Sequence, residues 1–164
     1  MAHTISHTSS FARRGFASSL GKTLVLGVAA VGVLFGIRAI VGPSGDKPAA
    51  FAAGTSLSEA IEQSRKTGKP VFALATADWC PPCKSYKATS LADGGITNRL
   101  KNNYIPVMID VDQSRDQMAQ LARAGFQVKS LPTSVVLMNG QAVDARIGPV
   151  PTSQLAMWLD TYSP

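Results

Sequence analysis

ADWCPPCKSY, residues 77–86, holds Cys80 and Cys83, the only two cysteines in a chain of 164 residues. Two prolines separate them and Trp79 precedes them. Three chemistries use such a pair: a structural disulfide, half of a metal site, or a redox couple that opens and closes. A structural zinc site commonly takes four ligands, from two such pairs or from one pair plus histidines. This chain has no second pair, and its two histidines, His3 and His7, precede an apolar N-terminal segment. A Cu(I) carrier needs fewer soft ligands, but no Met or His stands beside the pair. A disulfide kept only for stability closes a longer loop, because the entropic gain grows with loop length. The spacing favours thiol exchange, and no metal is expected; a metal carrier is the competing reading.

The flanks supply the physics. VFALAT, 71–76, is a short apolar run suited to a strand buried on both faces. A helix is expected from about Pro82 to Leu91, so Cys80 falls where a strand ends and a helix begins. A helix N-terminus presents unpaired N–H groups and about half a positive charge. Both favour the thiolate, which is the nucleophile. Pro81 and Pro82 lose little there, since the first helical positions have no N–H partner, and they limit how the pair moves. Lys84 adds a positive charge within the first turn. Cys83, one turn inward, is placed to attack a mixed disulfide and release product. Trp79 can cover the site or fill the core.

The remaining pattern is of alternating helices and strands. Ser56-Leu57-Ser58-Glu59 fits a capping box, and a helix to about Lys66 is closed by Gly68 and Pro70. After Asp93-Gly94-Gly95, expected as a loop, comes a short helix to about Asn102. YIPVMIDVD, 104–112, reads as a second buried strand. RDQMAQLARAG carries Met118, Leu121 and Ala122 at helical spacing and ends at Gly125. Two extended runs then flank Asn139-Gly140, a strong hairpin dipeptide. Thr152 is expected to cap a last helix that carries Leu155, Trp158 and Leu159. The order predicts an α/β domain with a mixed sheet, parallel first and antiparallel after the hairpin, and helices on both faces.

Trp79-Cys80-Pro81-Pro82-Cys83-Lys84 after a buried strand resembles the thioredoxin family. Leu131-Pro132-Thr133 is similar to that family's proline motif, and Asp112-Gln113, Asn139-Gly140 and Gly148 match in order and spacing. The resemblance covers roughly residues 56–162. It implies a thioredoxin fold and Cys80 and Cys83 as the catalytic pair. It also implies a cis Pro132 facing them, with Trp79, Leu131, Pro132 and Thr133 toward the substrate chain and Pro81, Pro82 and Lys84 tuning the pair. The departures are specific. Leu74 stands where thioredoxin itself has a buried acid that assists the second cysteine, Met108 where it has a nearby lysine, and about Ala88 where it has a kink proline. The SLADGGITNRL stretch resembles the thioredoxin-like domains of transmembrane thiol–disulfide interchange proteins, which face the periplasm. Asp78 is a proton relay by position or a solvated acid. A strong oxidant of this fold usually has a His where Pro82 stands, which favours a reductase of exported disulfides over an oxidase, an isomerase, or a metallochaperone or adaptor without turnover.

The N-terminal end carries a second message. Residues 1–45 hold Arg13, Arg14, Lys22 and Arg38 and no acid, which leaves 12 Lys and Arg against 10 Asp and Glu elsewhere, or +2 of the total +6. The body has no basic cluster interleaved with aromatics, so nucleic acid is not an expected partner. TLVLGVAAVGVLFGI, 23–37, is uncharged, and with AIVG after Arg38 gives about 20 residues, enough to span a bilayer at about 1.5 Å per residue. A basic N-terminus at 1–22, a transmembrane anchor at 23–42, a Gly/Pro/Ala-rich flexible linker at 43–55 and a domain at 56–164 are therefore expected. The positive-inside rule leaves the N-terminus cytoplasmic and the domain periplasmic. A cleaved leader with a small-residue site at Ala50-Phe51-Ala52, or a buried soluble helix, is the competing reading. Arg13-Arg14-Gly15-Phe16 also resembles a twin-arginine export stretch. No flavin or nicotinamide motif is present. The expected cofactor is none beyond the Cys80–Cys83 disulfide, and the expected partners are protein thiols and disulfides and a membrane electron donor.

Overall fold

A computed structural model describes residues 47–164; the anchor expected at 23–42 lies outside them. Among the described residues no helix is long and apolar enough to cross a membrane.

The described chain builds helix α1 (Leu57–Thr67), strand β1 (Val71–Thr76), α2 (Pro81–Ala88), α3 (Gly94–Asn103), β2 (Ile105–Asp110), α4 (Arg115–Arg123), β3 (Thr133–Met138), β4 (Gln141–Ile147) and α5 (Thr152–Tyr162). The sheet order is β2-β1-β3-β4. β1 runs parallel to β2 and antiparallel to β3, and β3 is antiparallel to β4. The mixed sheet is as expected, but the reversal comes one element earlier, at β3, rather than after the hairpin.

Alternation along the central strands divides the core into two layers. Phe72, Leu74 and Val136 face one way, under Tyr86, Leu100, Leu155 and Trp158 of α2, α3 and α5. Val71, Ala73, Val135 and Leu137 face the other, under Leu57, Ile61 and Leu121 of α1 and α4. Period two in the strands and the apolar stripes of the helices thus meet on both sides of one sheet. Phe72 centres the first layer, with ring centroids 6.2 Å from Phe51, 6.4 Å from Tyr104 and 5.9 Å from Trp158.

Several boundaries and burial patterns differ from those expected. Ser56 and Glu59 form the capping box, and Gly68 closes α1 in the left-handed conformation. α2 stops at Ala88, because Thr89 leaves helical geometry at φ −110, ψ −93, and a 3-10 turn, Ser90–Ala92, follows. Gly94 and Gly95 are not a loop: Asp93 accepts the Ile96 N–H and caps α3 ahead of them. β2 is half-buried in alternation rather than buried throughout, because it is an edge strand. Pro106 suits that place, having no N–H to contribute to a further ladder. Pro151 precedes α5 and Thr152 is its first residue, with no side-chain cap. At the start of the domain, Ala49–Phe51 is a 3-10 turn whose Phe51 is buried in the core, so packed structure begins ahead of Ser56.

Candidate active site

Cys80 stands at the N-cap of α2 with an extended backbone, and Pro81 and Pro82 take the first helical positions. Strand β1 delivers the chain to this point, since Thr76 ends the strand and Ala77 is buried against the pair. Cys80 and Cys83 are joined as a disulfide with their Cα atoms 5.3 Å apart. The Cys83 N–H donates to Cys80 Sγ at 3.3 Å. Cys80 is therefore the sulfur that faces the unpaired amides of the helix start, as capping geometry requires. Cys80 is 3% exposed and Cys83 is 0% exposed, so the pair has an outer and an inner member. Lys84 is exposed one residue after Cys83, and Asp78 is exposed before Trp79.

Trp79 does not fill the core. It is 67% exposed, and its Nε1–H donates to Asp112 Oδ2 at 2.7 Å. Asp112 is itself placed by the turn after β2, in which Asp110 Oδ1 accepts the Asp112 and Gln113 N–H groups at 2.9 and 3.2 Å. The sequence aligned Asp112-Gln113 with a family pattern without showing this contact, which joins residues 33 apart.

Across from the pair, the Leu131–Pro132 bond is cis. Leu131 packs with Val111 against Ala77, Cys80 and Cys83. Thr133 opens β3, and its hydroxyl donates to the Ser130 carbonyl at 2.6 Å. The Gly148 N–H donates to the Pro132 carbonyl at 2.8 Å, fixing the proline loop to the end of β4. A groove of about 400 Å³ separates loop from helix, with Trp79, Cys80, Val111, Met118, Val128 and Leu131 in its walls. Trp79, Cys80, Pro81, Pro82 and Leu131 thus line one groove, while Pro132 and Thr133 follow Leu131 in the chain and Lys84 is exposed on α2. Val111 and Val128 were not singled out in the sequence and Met118 was read only as a position of its helix's apolar face, because ordinary core spacing explains all three there. Ile147 was also missed: it is paired with Thr133 beside the loop and is 66% exposed.

The buried surroundings of β1 and α2 combine apolar and polar side chains. Leu74 is fully buried and pairs in register with Met108. Tyr86 donates or accepts a 3.4 Å hydrogen bond with Ser134, and burial pushes its phenol up to about 12. The Thr76 hydroxyl is buried without a hydrogen-bond partner among the described residues. α2 buries Lys87 together with Cys83 and Tyr86. Among the described residues no group of three or more His, Cys, Asp or Glu is arranged to hold a metal ion.

A paired dithiol, one sulfur at a helix start and beside an apolar groove, can exchange disulfides with an extended chain. A family model described as "Thioredoxin-like domain" matches residues 57–163. The chain is 34% identical over 91 residues to thioredoxin 1 of Chlorobaculum tepidum, covering 56% of this chain and 82% of that one. The solution structure of a thioredoxin from Thermus thermophilus superposes with a TM-score of 0.55 at 22% identity, over 65% of this chain and 82% of that one. A disulphide isomerase from Xylella fastidiosa superposes with a TM-score of 0.51 at 18% identity, over 73% and 95%. At these identities the two structures show the fold alone.

Proposed function

Because the chain belongs to the thioredoxin-like family of protein-disulfide oxidoreductases, we propose that it reduces disulfides of exported proteins from a membrane tether at residues 23–42. The observation that carries the reading is the placement of Cys80 at the N-cap of α2, with the Cys83 N–H at its sulfur and the groove beside it.

In the reduced protein the Cys80 thiolate attacks one sulfur of a substrate disulfide. That S–S bond breaks, one substrate sulfur leaves with the electron pair and takes up a proton, and Cys80 is left in a mixed disulfide. Cys83 loses its proton and attacks Cys80 Sγ. The second substrate sulfur leaves as a thiolate, and the Cys80–Cys83 disulfide remains. Two electrons pass from protein to substrate, and thiol exchange with a second protein must return them. Trp79, Leu131, Pro132 and Thr133 hold the substrate chain across the groove, while Pro81, Pro82 and Lys84 tune the pair. The pair is the whole redox centre, with no bound cofactor. Exported compartments are oxidising, so the electrons come from a membrane protein that carries them across. Pro82 supports the reducing direction, since it offers the thiolate no imidazolium.

The test is the redox equilibrium of the full chain against a glutathione or dithiothreitol series, read by thiol alkylation. A potential below the glutathione pool is expected. A potential near or above that pool turns the reading to an oxidase or isomerase. Absence of a Cys80–Cys83 disulfide under every buffer overturns it and leaves a metal carrier to test.

A further inference from the structure

We propose that Lys87 is a positioning residue for the resolving step, its ammonium placed to favour the thiolate of Cys83. The proposal rests on the exchange mechanism above and names a charge that its second half uses.

Lysine is almost never fully buried unless paired, yet Lys87 is 3% exposed. It lies on the inward face of α2, where Cys83, Tyr86 and Lys87 are buried together. Residues four apart on a helix have Cβ atoms about 5–6 Å apart. Long helical side chains also lean over the turn on their N-terminal side. For Lys87 that turn holds Cys83, and a lysine stem is long enough to bring its charge beside the sulfur.

No carboxylate claims that charge. The ion pairs among the described residues are Arg99–Asp160 and Arg146–Asp144, both elsewhere. The sheet beneath contributes none either, since Leu74 and Met108 are apolar and paired. Other charges lie around the rim. Lys84 and Asp78 are exposed, Asp110 is committed to the turn amides, Asp112 to Trp79 and Asp93 to the cap of α3. Tyr86 stays a neutral phenol well past neutral pH, and the Thr76 hydroxyl is neutral. Lys87 is thus the buried charge on the inner cysteine's own face. In a site this dry, a cation near a forming thiolate acts with little solvent screening. The Cys83 proton goes to the substrate sulfur freed in the first step, the Cys83 sulfur attacks Cys80, and Lys87 offsets the negative charge while it exists.

The experiment uses the full chain in detergent with Cys80→Ser, which leaves Cys83 as the sole thiol, and follows its ionisation by ultraviolet thiolate absorbance against pH. With Lys87→Met the midpoint should rise by about one pH unit or more, which is about tenfold less thiolate at neutral pH. Lys87→Arg should hold it near the unaltered position. Equal midpoints with Met and Lys overturn the proposal. If circular dichroism shows the Met variant unfolded, the same question is put to the unaltered lysine. Its ¹³Cε resonance should shift as Cys83 ionises, and a flat trace overturns the proposal. The titration uses no substrate, so it reads the same whether or not the chain turns out to reduce exported disulfides.

Discussion

At Trp79 a large apolar ring is held at the surface by a single polar contact, Nε1–H to Asp112. An exposed indole free to rotate offers a poor wall to an incoming chain, since ordering it on binding costs side-chain entropy. Asp112→Ala should therefore weaken substrate binding. The expected result is a rise in KM for a protein disulfide of about fivefold, the equivalent of roughly 1 kcal/mol, with kcat and the urea midpoint little changed. Steady-state kinetics and denaturation on the same preparation check it. The residue scale also shows what sequence carries. The Cys80–Cys83 pairing and the cis bond before Pro132 were legible because both are tied to residue type and spacing. The Trp79–Asp112 contact was not, because it joins two loops through the turn that Asp110 shapes. Lys87 was not legible either: a lysine in a helix reads as solvated until the packed face is known.

Among the elements, the β3–β4 hairpin is the most closely specified by its turn. Asn139 at φ 54 and Gly140 at φ 82 both take positive backbone angles, as the Asn-Gly dipeptide leads one to expect. Gly140 has a second constraint that sequence could not show. A Cβ there would lie 3.1 Å from Ile61 Cγ2 and 3.3 Å from Arg65 Nη2 of α1. Gly140→Ala thus combines backbone strain with a contact that α1 must yield to. A loss of about 1–3 kcal/mol is expected from urea unfolding, larger than Ala costs in an open turn. The same contrast governs the boundaries. Caps at Ser56 and Asp93 act through neighbouring residues and could be read or nearly read. The end of α2 at Ala88 and the half-burial of β2 depend on which elements lie alongside, so local pattern overshot both.

The whole domain should have a stability plateau bounded by different groups at each end. On the alkaline side, burial holds Tyr86 up to about 12, against an ordinary 10.0, and Tyr104 likewise up to about 12. A raised phenol favours the folded state fully below its unfolded value and loses that contribution as pH climbs toward the folded one. For Tyr86 the two-unit gap is about 2–3 kcal/mol. On the acid side the Asp144 carboxyl is subject to burial, which raises it. Hydrogen bonds from Trp158, the Ala145 N–H, Arg146 and Tyr162 outweigh that and hold it below its ordinary range. Its contribution is present above that range and is lost as pH falls through the folded value. Urea midpoints across pH should be level in between and fall at both ends. Tyr86→Phe should flatten the alkaline limb, and an unchanged limb would show that another group sets it.

The same whole-molecule view separates the two tryptophans. Trp79 is 67% exposed and is the residue next to Cys80 of the disulfide. Trp158 is 5% exposed, donates to Asp144 and lies under the Arg146 guanidinium, 4.9 Å from the ring centroid. A disulfide accepts an electron from a nearby excited indole and darkens it, whereas a pair of thiols does so far less. Reduction of the disulfide should therefore brighten Trp79, and the buried Trp158 is the second emitter against which that rise is read.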